Sequence, residues 1–133
     1  MYKRQNLLLD NKKVPIYGNG KNIRDWIYVG EHVDRLIDLQ MSSAKNDTYL
    51  IGGNNELSNV EIIKEIVSII HPSGQWNPGE YIAFVDDRKG HDMRYAIDDT
   101  KMRNFLGKAD KESFSDQLQS TVTWYQKNLD WWE

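Results

Sequence analysis

The sequence contains no cysteine, only three prolines and no long hydrophobic run. Without cysteine the chain has no disulfide, no thiolate nucleophile and no metal site built on sulfur. The longest apolar run near its start, Leu7-Leu8-Leu9, is too short for a signal peptide or a membrane span. A formal net charge of −3 disfavours general nucleic-acid binding, which needs a basic face. The composition therefore predicts a cytoplasmic protein with neither a nucleic-acid nor a membrane partner.

The length and the balance of residue types fit one folded domain, residues 1–133. A chain of 133 residues that is 39% hydrophobic and 28% charged is long enough to bury a core. Short helices and strands alternate along it, which predicts a mixed α/β fold. Extended segments are predicted at 14–17, 24–29, 48–51, 81–85 and 95–97, and helices at 4–11, 31–42, 58–70, 98–106 and 113–132. With so few strands, the pattern is typical of part of a larger α/β fold.

Several catalytic motifs are missing. Gly18-Asn19-Gly20 lacks the third glycine and the following helix of a dinucleotide-binding loop, and Gly20-Lys21 is not followed by the Ser or Thr of a phosphate-binding loop. Neither G-x-S-x-G nor H-E-x-x-H occurs. The sequence therefore gives no sign of nucleotide hydrolysis, of an esterase-type serine or of a zinc protease.

The stretch 86–94, Asp-Asp-Arg-Lys-Gly-His-Asp-Met-Arg, is the densest in polar function and follows the strongest predicted strand. A loop at the end of a buried strand is a common place for ligand contacts, and arginine is a natural partner of phosphate. The same residues also fit a solvated turn with internal salt bridges. A metal site is disfavoured because basic Arg88 and Lys89 lie among the candidate ligands Asp86, Asp87, His91 and Asp92.

Three further positions are candidates, each with a plain structural alternative. Arg24 could bind an anion, or it could pair with Asp25 while Trp26 fills the core. Asn59 follows Ser58 at a helix start, where backbone N–H groups favour an anion, but it could simply be a capping residue. Tyr17 could stack on a planar base or pack in the core.

Together these segments resemble the dTDP-glucose 4,6-dehydratases over almost the whole chain. The resemblance is carried by Pro-Ile-Tyr-Gly at 15–18, Arg-Asp-Trp-Ile-Tyr-Val at 24–29, Ile-Gly-Gly at 51–53, Asp-Arg-Lys-Gly-His-Asp at 87–92 and Arg-Tyr-Ala-Ile-Asp at 94–98. These enzymes are extended short-chain dehydrogenase/reductases that oxidise C4 of the glucose ring, eliminate water across C5–C6 and return the hydride to C6. A sister nucleotide-sugar epimerase and a stand-alone nucleotide-sugar binding module remain alternatives.

The resemblance implies that this chain is the small C-terminal substrate-binding domain, without the Rossmann domain that binds NAD. The family's catalytic Tyr-x-x-x-Lys lies in that N-terminal domain, so the resemblance implies that this chain does not carry it. The parent enzyme is an NAD-dependent lyase that makes dTDP-4-keto-6-deoxyglucose. We therefore expect this chain alone to be inactive and to bind no cofactor, its ligand being the dTDP-sugar and its natural partner the Rossmann domain.

The resemblance also implies the roles of ten residues. Arg24 would bind the diphosphate, and Asn59 would lie near the diphosphate or sugar. The thymine and deoxyribose would be lined by Pro15, Ile16 and Tyr17, and the loop that closes on the substrate would be Asp87, Arg88, Lys89, Gly90 and His91. Family members usually have proline at the position of Lys89, so this loop is expected to be less stiff.

Two helix faces would lose their partner if the Rossmann domain were removed. They belong to the predicted helix near Arg4 and to the helix near Glu31, whose stripe is formed by Val33, Leu36, Ile37 and Met41. Apolar surface left in water invites association. We therefore predict a marginally stable monomer or a non-native oligomer.

Overall fold

A computed structural model describes residues 2–44, 46–107 and 112–131 and confirms the mixed α/β class. Its elements in chain order are α1 (Tyr2–Leu9), β1 (Val14–Tyr17), β2 (Ile23–Asp25), α2 (Val29–Met41), β3 (Glu56–Ser58), α3 (Asn59–Ile70), α4 (Pro78–Tyr81), β4 (Ile82–Val85), α5 (Thr100–Leu106) and α6 (Phe114–Lys127). Among the described residues, no helix has both the length and the apolar character needed to cross a bilayer.

The strands form two small sheets. β1 pairs in parallel with β4, with Val14 opposite Ile82 and Tyr17 opposite Val85. β2 pairs antiparallel with β3, and an isolated bridge joins Ile23 to Arg94. Because β1 and β4 are parallel neighbours, the loops that follow them start from the same edge. This pairing brings the turn 18–20 next to the loop 86–94.

The core is built around α3. Ile62, Ile63 and Ile66 are fully buried on one face of this helix, and α1 and α6 pack against it. It begins with a capping box, in which Ser58 and Glu61 satisfy each other's backbone N–H groups. Leu8 of α1 is 2% exposed within the same core. The prediction that the helix near Arg4 lacks a partner surface is therefore wrong, because α3 and α6 supply one.

Helix α2 turns its apolar stripe outward. Val33, Leu36, Ile37 and Met41 are between 44% and 81% exposed, as predicted for a face without a partner. The buried residue of this helix is Arg35, which pairs with Glu31 and Asp99. Polar contacts on the inner face therefore attach α2 to the rest of the chain.

Four predicted elements differ from the structure. Segment 48–51 is not a strand, and β2 ends at Asp25 because α2 already begins at Val29. Residues 95–97 form no strand, although Arg94 bridges to Ile23. Helix α6 ends at Lys127 instead of continuing through Trp131, and Trp132 lies outside the described residues. A strand needs a hydrogen-bonded neighbour, and the described residues give 48–51 none.

The exposed face of α2 generates a prediction about association. Leu36→Glu and Ile37→Glu should lower self-association while changing the free energy of unfolding by no more than about 0.5 kcal/mol, because both side chains face water. Ile63→Glu, which buries a charge in the core, should unfold the chain. Sedimentation velocity and thermal melting followed by circular dichroism measure the two effects. Unfolding by the α2 substitutions would show that this face is buried in solution.

Candidate functional site

The turn after β1 and the loop after β4 contact each other directly. The N–H of Gly18 donates to the carbonyl of Val85 at 2.8 Å. Gly18 has a φ of +56°, and a Cβ added there would lie 3.0 Å from Oδ2 of Asp87. A larger residue would be strained and crowded at this position. Glycine therefore allows the loop to lie against the end of β1.

A chain of hydrogen bonds links Arg24 to this loop. Nη2 of Arg24 lies 3.0 Å from Nε2 of His91, and Nδ1 of His91 lies 2.6 Å from Oδ1 of Asp87. Arginine only donates, so Nε2 of His91 accepts a hydrogen bond from it. Nδ1 of His91 then carries the ring hydrogen and donates it in a hydrogen bond to Asp87. The Asp87 carboxylate therefore fixes the tautomer of His91, which in turn holds the Arg24 guanidinium.

An aromatic ring lies against each of two guanidinium groups in this site. The guanidinium carbon of Arg24 lies 4.5 Å from the ring centre of Tyr95, and that of Arg88 lies 5.3 Å from the ring centre of Tyr17. The Tyr17 ring meets the edge of His91 at 6.1 Å between centroids. Stacked guanidinium groups keep their charge and several N–H donors. The site thus combines positive charge with a half-exposed aromatic surface.

The arginines of the chain divide into two groups. Arg35, Arg94 and Arg103 each form a salt bridge with a carboxylate. Over the described residues no such bridge is found for Arg4, Arg24 or Arg88. Arg24 donates instead to neutral acceptors, the carbonyls of Ile23 and Asp92 and the His91 ring. An anion binding here would meet guanidinium groups that are not already paired with a carboxylate.

The first backbone N–H groups of α3 are already hydrogen-bonded within the chain. The N–H groups of Asn59 and Val60 donate to the carbonyls of Asn22 and Gly20, and that of Glu61 donates to Ser58. The sequence argument that these donors favour an anion is therefore wrong, because they are already occupied. Only the side-chain amide of Asn59 remains for a ligand.

One assigned residue cannot contact a ligand through its side chain. Ile16 is 1% exposed and belongs to the core, because alternate residues of β1 point inward. Its neighbours Pro15 and Tyr17 face outward. The expectation that the Ile16 side chain lines the thymine is thus corrected to a core role, while Pro15 and Tyr17 lie on the exposed side of the strand.

The remaining assigned residues of the loop, Lys89 and Gly90, are exposed. Gly90 has a φ of +75° with open space around it, so it allows the turn that presents His91. The alternative partner for Arg24 is ruled out, because Asp25 accepts instead from the backbone N–H groups of Gly53 and Asn55. Asp25 therefore ties β2 to the 53–55 segment and leaves Arg24 to the loop.

Sequence reasoning missed two residues of the site. Asn22 is 1% exposed, and its amide donates to the Asp92 carbonyl at 3.3 Å, the same carbonyl that Arg24 contacts. Tyr95 supplies the ring beneath Arg24. Tyr95 was within the Arg-Tyr-Ala-Ile-Asp segment that carries the resemblance, but a single buried asparagine in a turn has no signal in sequence.

The other candidate sites are a metal site and an apolar cavity. Within the described ranges no three His, Asp or Glu side chains gather into a possible metal site. A cavity of about 190 Å³ lies elsewhere, between residues 27–29 and α6, and is mostly apolar. It contains none of the residues assigned to ligand binding. The cluster of Arg24, His91 and Tyr17 therefore remains the candidate site.

The His91–Asp87 contact makes a testable electrostatic prediction. The hydrogen bond from His91, aided by the Arg88 N–H, lowers the pKa of Asp87 below its ordinary value. The resulting stabilisation is present above the ordinary pKa and is lost as pH falls through the lowered value. In His91→Ala the pKa of Asp87 should rise towards its ordinary value, as followed by carbon-detected NMR of the carboxyl group. His71→Ala is the control, and equal titration in both variants would contradict the contact.

Comparison with known proteins extends over nearly the whole chain. The family model described as GDP-mannose 4,6 dehydratase matches residues 2–121. The dTDP-glucose 4,6-dehydratase of Neisseria meningitidis serogroup B is 40% identical over 131 residues, which are 94% of this chain and 37% of that enzyme. The chain thus spans well under half of the length of this relative.

Solved structures agree with the sequence comparison. The dTDP-glucose 4,6-dehydratase of Streptomyces venezuelae, solved with NAD and TYD bound, has a TM-score of 0.86 and 34% identity over 98% of this chain and 39% of its own. A UDP-glucose 4-epimerase of Thermotoga maritima is more distant, with 25% identity and a TM-score of 0.81 over 96% of this chain and 39% of its own. The chain therefore belongs to the GDP-mannose 4,6-dehydratase family of extended short-chain dehydrogenase/reductases, within which it is similar to part of the dTDP-glucose 4,6-dehydratases.

Proposed function

We propose that this chain is the part of a dTDP-glucose 4,6-dehydratase that holds the nucleotide diphosphate of the substrate. The observation that carries the proposal is the environment of Arg24. Its guanidinium is fixed by the Asp92 carbonyl, the His91 ring and the Tyr95 face, none of which neutralises its charge. A phosphate could therefore form a charge-assisted hydrogen bond without first displacing a carboxylate.

The neighbouring residues suit the remaining parts of a dTDP-sugar. Tyr17, 44% exposed and stacked with Arg88, offers a flat face for the thymine, with Pro15 beside it. The Asn59 amide would donate near the diphosphate or sugar. The loop of Asp87, Arg88, Lys89, Gly90 and His91 would close over the ligand. In this arrangement Asp87 acts through His91, because its Oδ1 is already used by that ring.

The residues described here do not fit NAD. A dinucleotide-binding loop joins a parallel strand to a helix whose N-terminus receives the pyrophosphate. In this chain the glycine turn after β1 leads to β2, and its Gly20 is packed against Val60 and Ile16. We therefore assign NAD to the remaining part of the parent enzyme.

The whole enzyme would convert dTDP-glucose to dTDP-4-keto-6-deoxyglucose in the cytoplasm. The contribution proposed for this chain is to hold the nucleotide so that the glucose ring is presented to catalytic groups that it does not itself carry. Remote binding energy of this kind positions the reacting part of a substrate. A sister epimerase would use the same fold to hold a uridine nucleotide. Comparing the affinities for dTDP and UDP in a competition experiment therefore separates the two functions.

Loss of Arg24 should remove most nucleotide binding. We expect weak binding of dTDP, in the millimolar range, and Arg24→Ala should lower its affinity at least tenfold because a charge-assisted hydrogen bond contributes about 1.5–3 kcal/mol. Chemical-shift titration by NMR measures both affinities. Lys101→Ala, which removes one positive charge from a side chain paired with Asp47, is the control and should bind as the wild type does.

Two results of this titration would contradict the proposal. Equal affinity of the wild type and Arg24→Ala would remove the role assigned to Arg24. Tighter binding of UDP than of dTDP would favour the epimerase function over the dehydratase function.

The chain on its own should not catalyse the dehydration. With dTDP-glucose and NAD added, and no other protein present, we expect no dTDP-4-keto-6-deoxyglucose, because the described residues hold no dinucleotide loop. The one Tyr-x-x-x-Lys match, Tyr17 to Lys21, lies in the glycine turn between β1 and β2 and not on a helix. Chromatography with mass detection measures the product, and a full-length dehydratase is the positive control. Product formed by this chain alone would overturn the division of roles proposed above.

A further inference from the structure

Arg4 of α1 reaches the start of α3 from the other side of the candidate site. Its Nη2 donates to Oδ1 of Asn59 at 2.9 Å, and its guanidinium carbon lies 5.7 Å from the ring centre of Trp26. Its Nη1 is buried and has no hydrogen-bond partner among the described residues. A buried donor without a partner is costly, so this geometry leaves a place for an acceptor.

Arg4 is also electrostatically linked to Arg24. Burial, together with the nearby charge of Arg24, lowers the pKa of Arg4 below its ordinary value. In the part of the chain that the structure describes, no carboxylate forms a salt bridge with either guanidinium. Two neighbouring cations without an acid repel each other, and a bound anion would relieve this repulsion.

The contact with Arg4 also determines the orientation of the Asn59 amide. A guanidinium only donates, so it must face the Oδ1 end of the amide, and Nδ2 is then the end turned away. Asn59 is 7% exposed, and its Nδ2 makes no hydrogen bond within the described ranges. The two Nδ2 hydrogens are therefore the donors that Asn59 can offer to a ligand.

We propose that Arg4 is a positioning residue of the nucleotide site: it holds the Asn59 amide with Nδ2 towards the diphosphate and adds positive charge beside Arg24. This inference rests on the proposed function, since it concerns the same ligand. It assigns a ligand-related role to α1, a helix in which sequence analysis found no functional residue.

Double-mutant analysis of dTDP binding tests the proposal. Arg4→Met should weaken binding about tenfold, as expected for the loss of one charge-assisted interaction. Arg4→Lys, which keeps the charge and a donor, should recover most of this loss. Adding Asn59→Ala to Arg4→Met should weaken binding by less than the two separate losses combined, because the two residues act as a unit. Arg4→Gln is the second neutral variant, in case Arg4→Met does not fold.

The side-chain amide signals of Asn59 give a readout that a merely structural role would not move. In the wild type these signals should shift when dTDP is added, and in Arg4→Met or Arg4→Gln the shift should be lost while the backbone spectrum stays folded. Lys12→Gln removes an exposed positive charge just after α1 and should behave as the wild type does.

The outcomes separate this inference from the proposed function. Wild-type affinity for dTDP in Arg4→Met or Arg4→Gln would overturn the role of Arg4. So would losses of binding free energy in Arg4→Met and Asn59→Ala that simply add in the double variant. In both cases the binding that depends on Arg24 would stand. Equal losses in Arg4→Lys and Arg4→Met would also overturn the role of Arg4. Failure of the wild type to bind dTDP at all would reject the proposed function and this inference with it.

Discussion

Burial of one face of α3 is the constraint on which the candidate site depends. Ile62, Ile63 and Ile66 are fully buried, and burying an isoleucine side chain contributes about 1.5–3 kcal/mol. The helix is thereby fixed against α1 and α6, and its first N–H groups are bonded to the carbonyls of Gly20 and Asn22. Those two bonds hold the turn that leads into β2, on which Arg24 lies. The apolar core thus sets where the principal cation of the site is placed.

The features that could be predicted from the sequence depend on residues close together along the chain. The capping box of Ser58 and Glu61 joins positions three apart, and the αL glycine at 107 ends α5 where the sequence indicated. Segment 48–51 has the residue types of a strand, yet β propensity describes how a residue fits a sheet that other strands must supply. Among the described residues no strand pairs with it. Its prediction failed for lack of a partner, which local sequence does not reveal.

The site was partly predictable, and the reasons differ from residue to residue. Arg24, Asp87 and His91 were named from local pattern and the family resemblance, but the contact between Arg24 and His91 spans 67 positions, and only the His91–Asp87 contact is local. The Ile16 side chain belongs to the core instead, because alternate residues of β1 are buried, and the residue types of Val-Pro-Ile-Tyr do not show which face points inward. The contact between Arg4 and Asn59 spans 55 positions and follows no periodic pattern. Only the packing of α1 on α3 brings these two residues together.

Helix α2 shows how one element can be attached by its polar face. Arg35 contacts Glu31, Asp99 and the carbonyl of Gly52, while Gln117 of α6 donates to Glu31. Removing one partner from such a buried network leaves an uncompensated charge and costs about 3–5 kcal/mol. The apolar stripe on the opposite face takes no part in this attachment, because it faces water. Folding of this helix onto the chain and association through its stripe are therefore controlled by different residues, so selection can act on one property without changing the other.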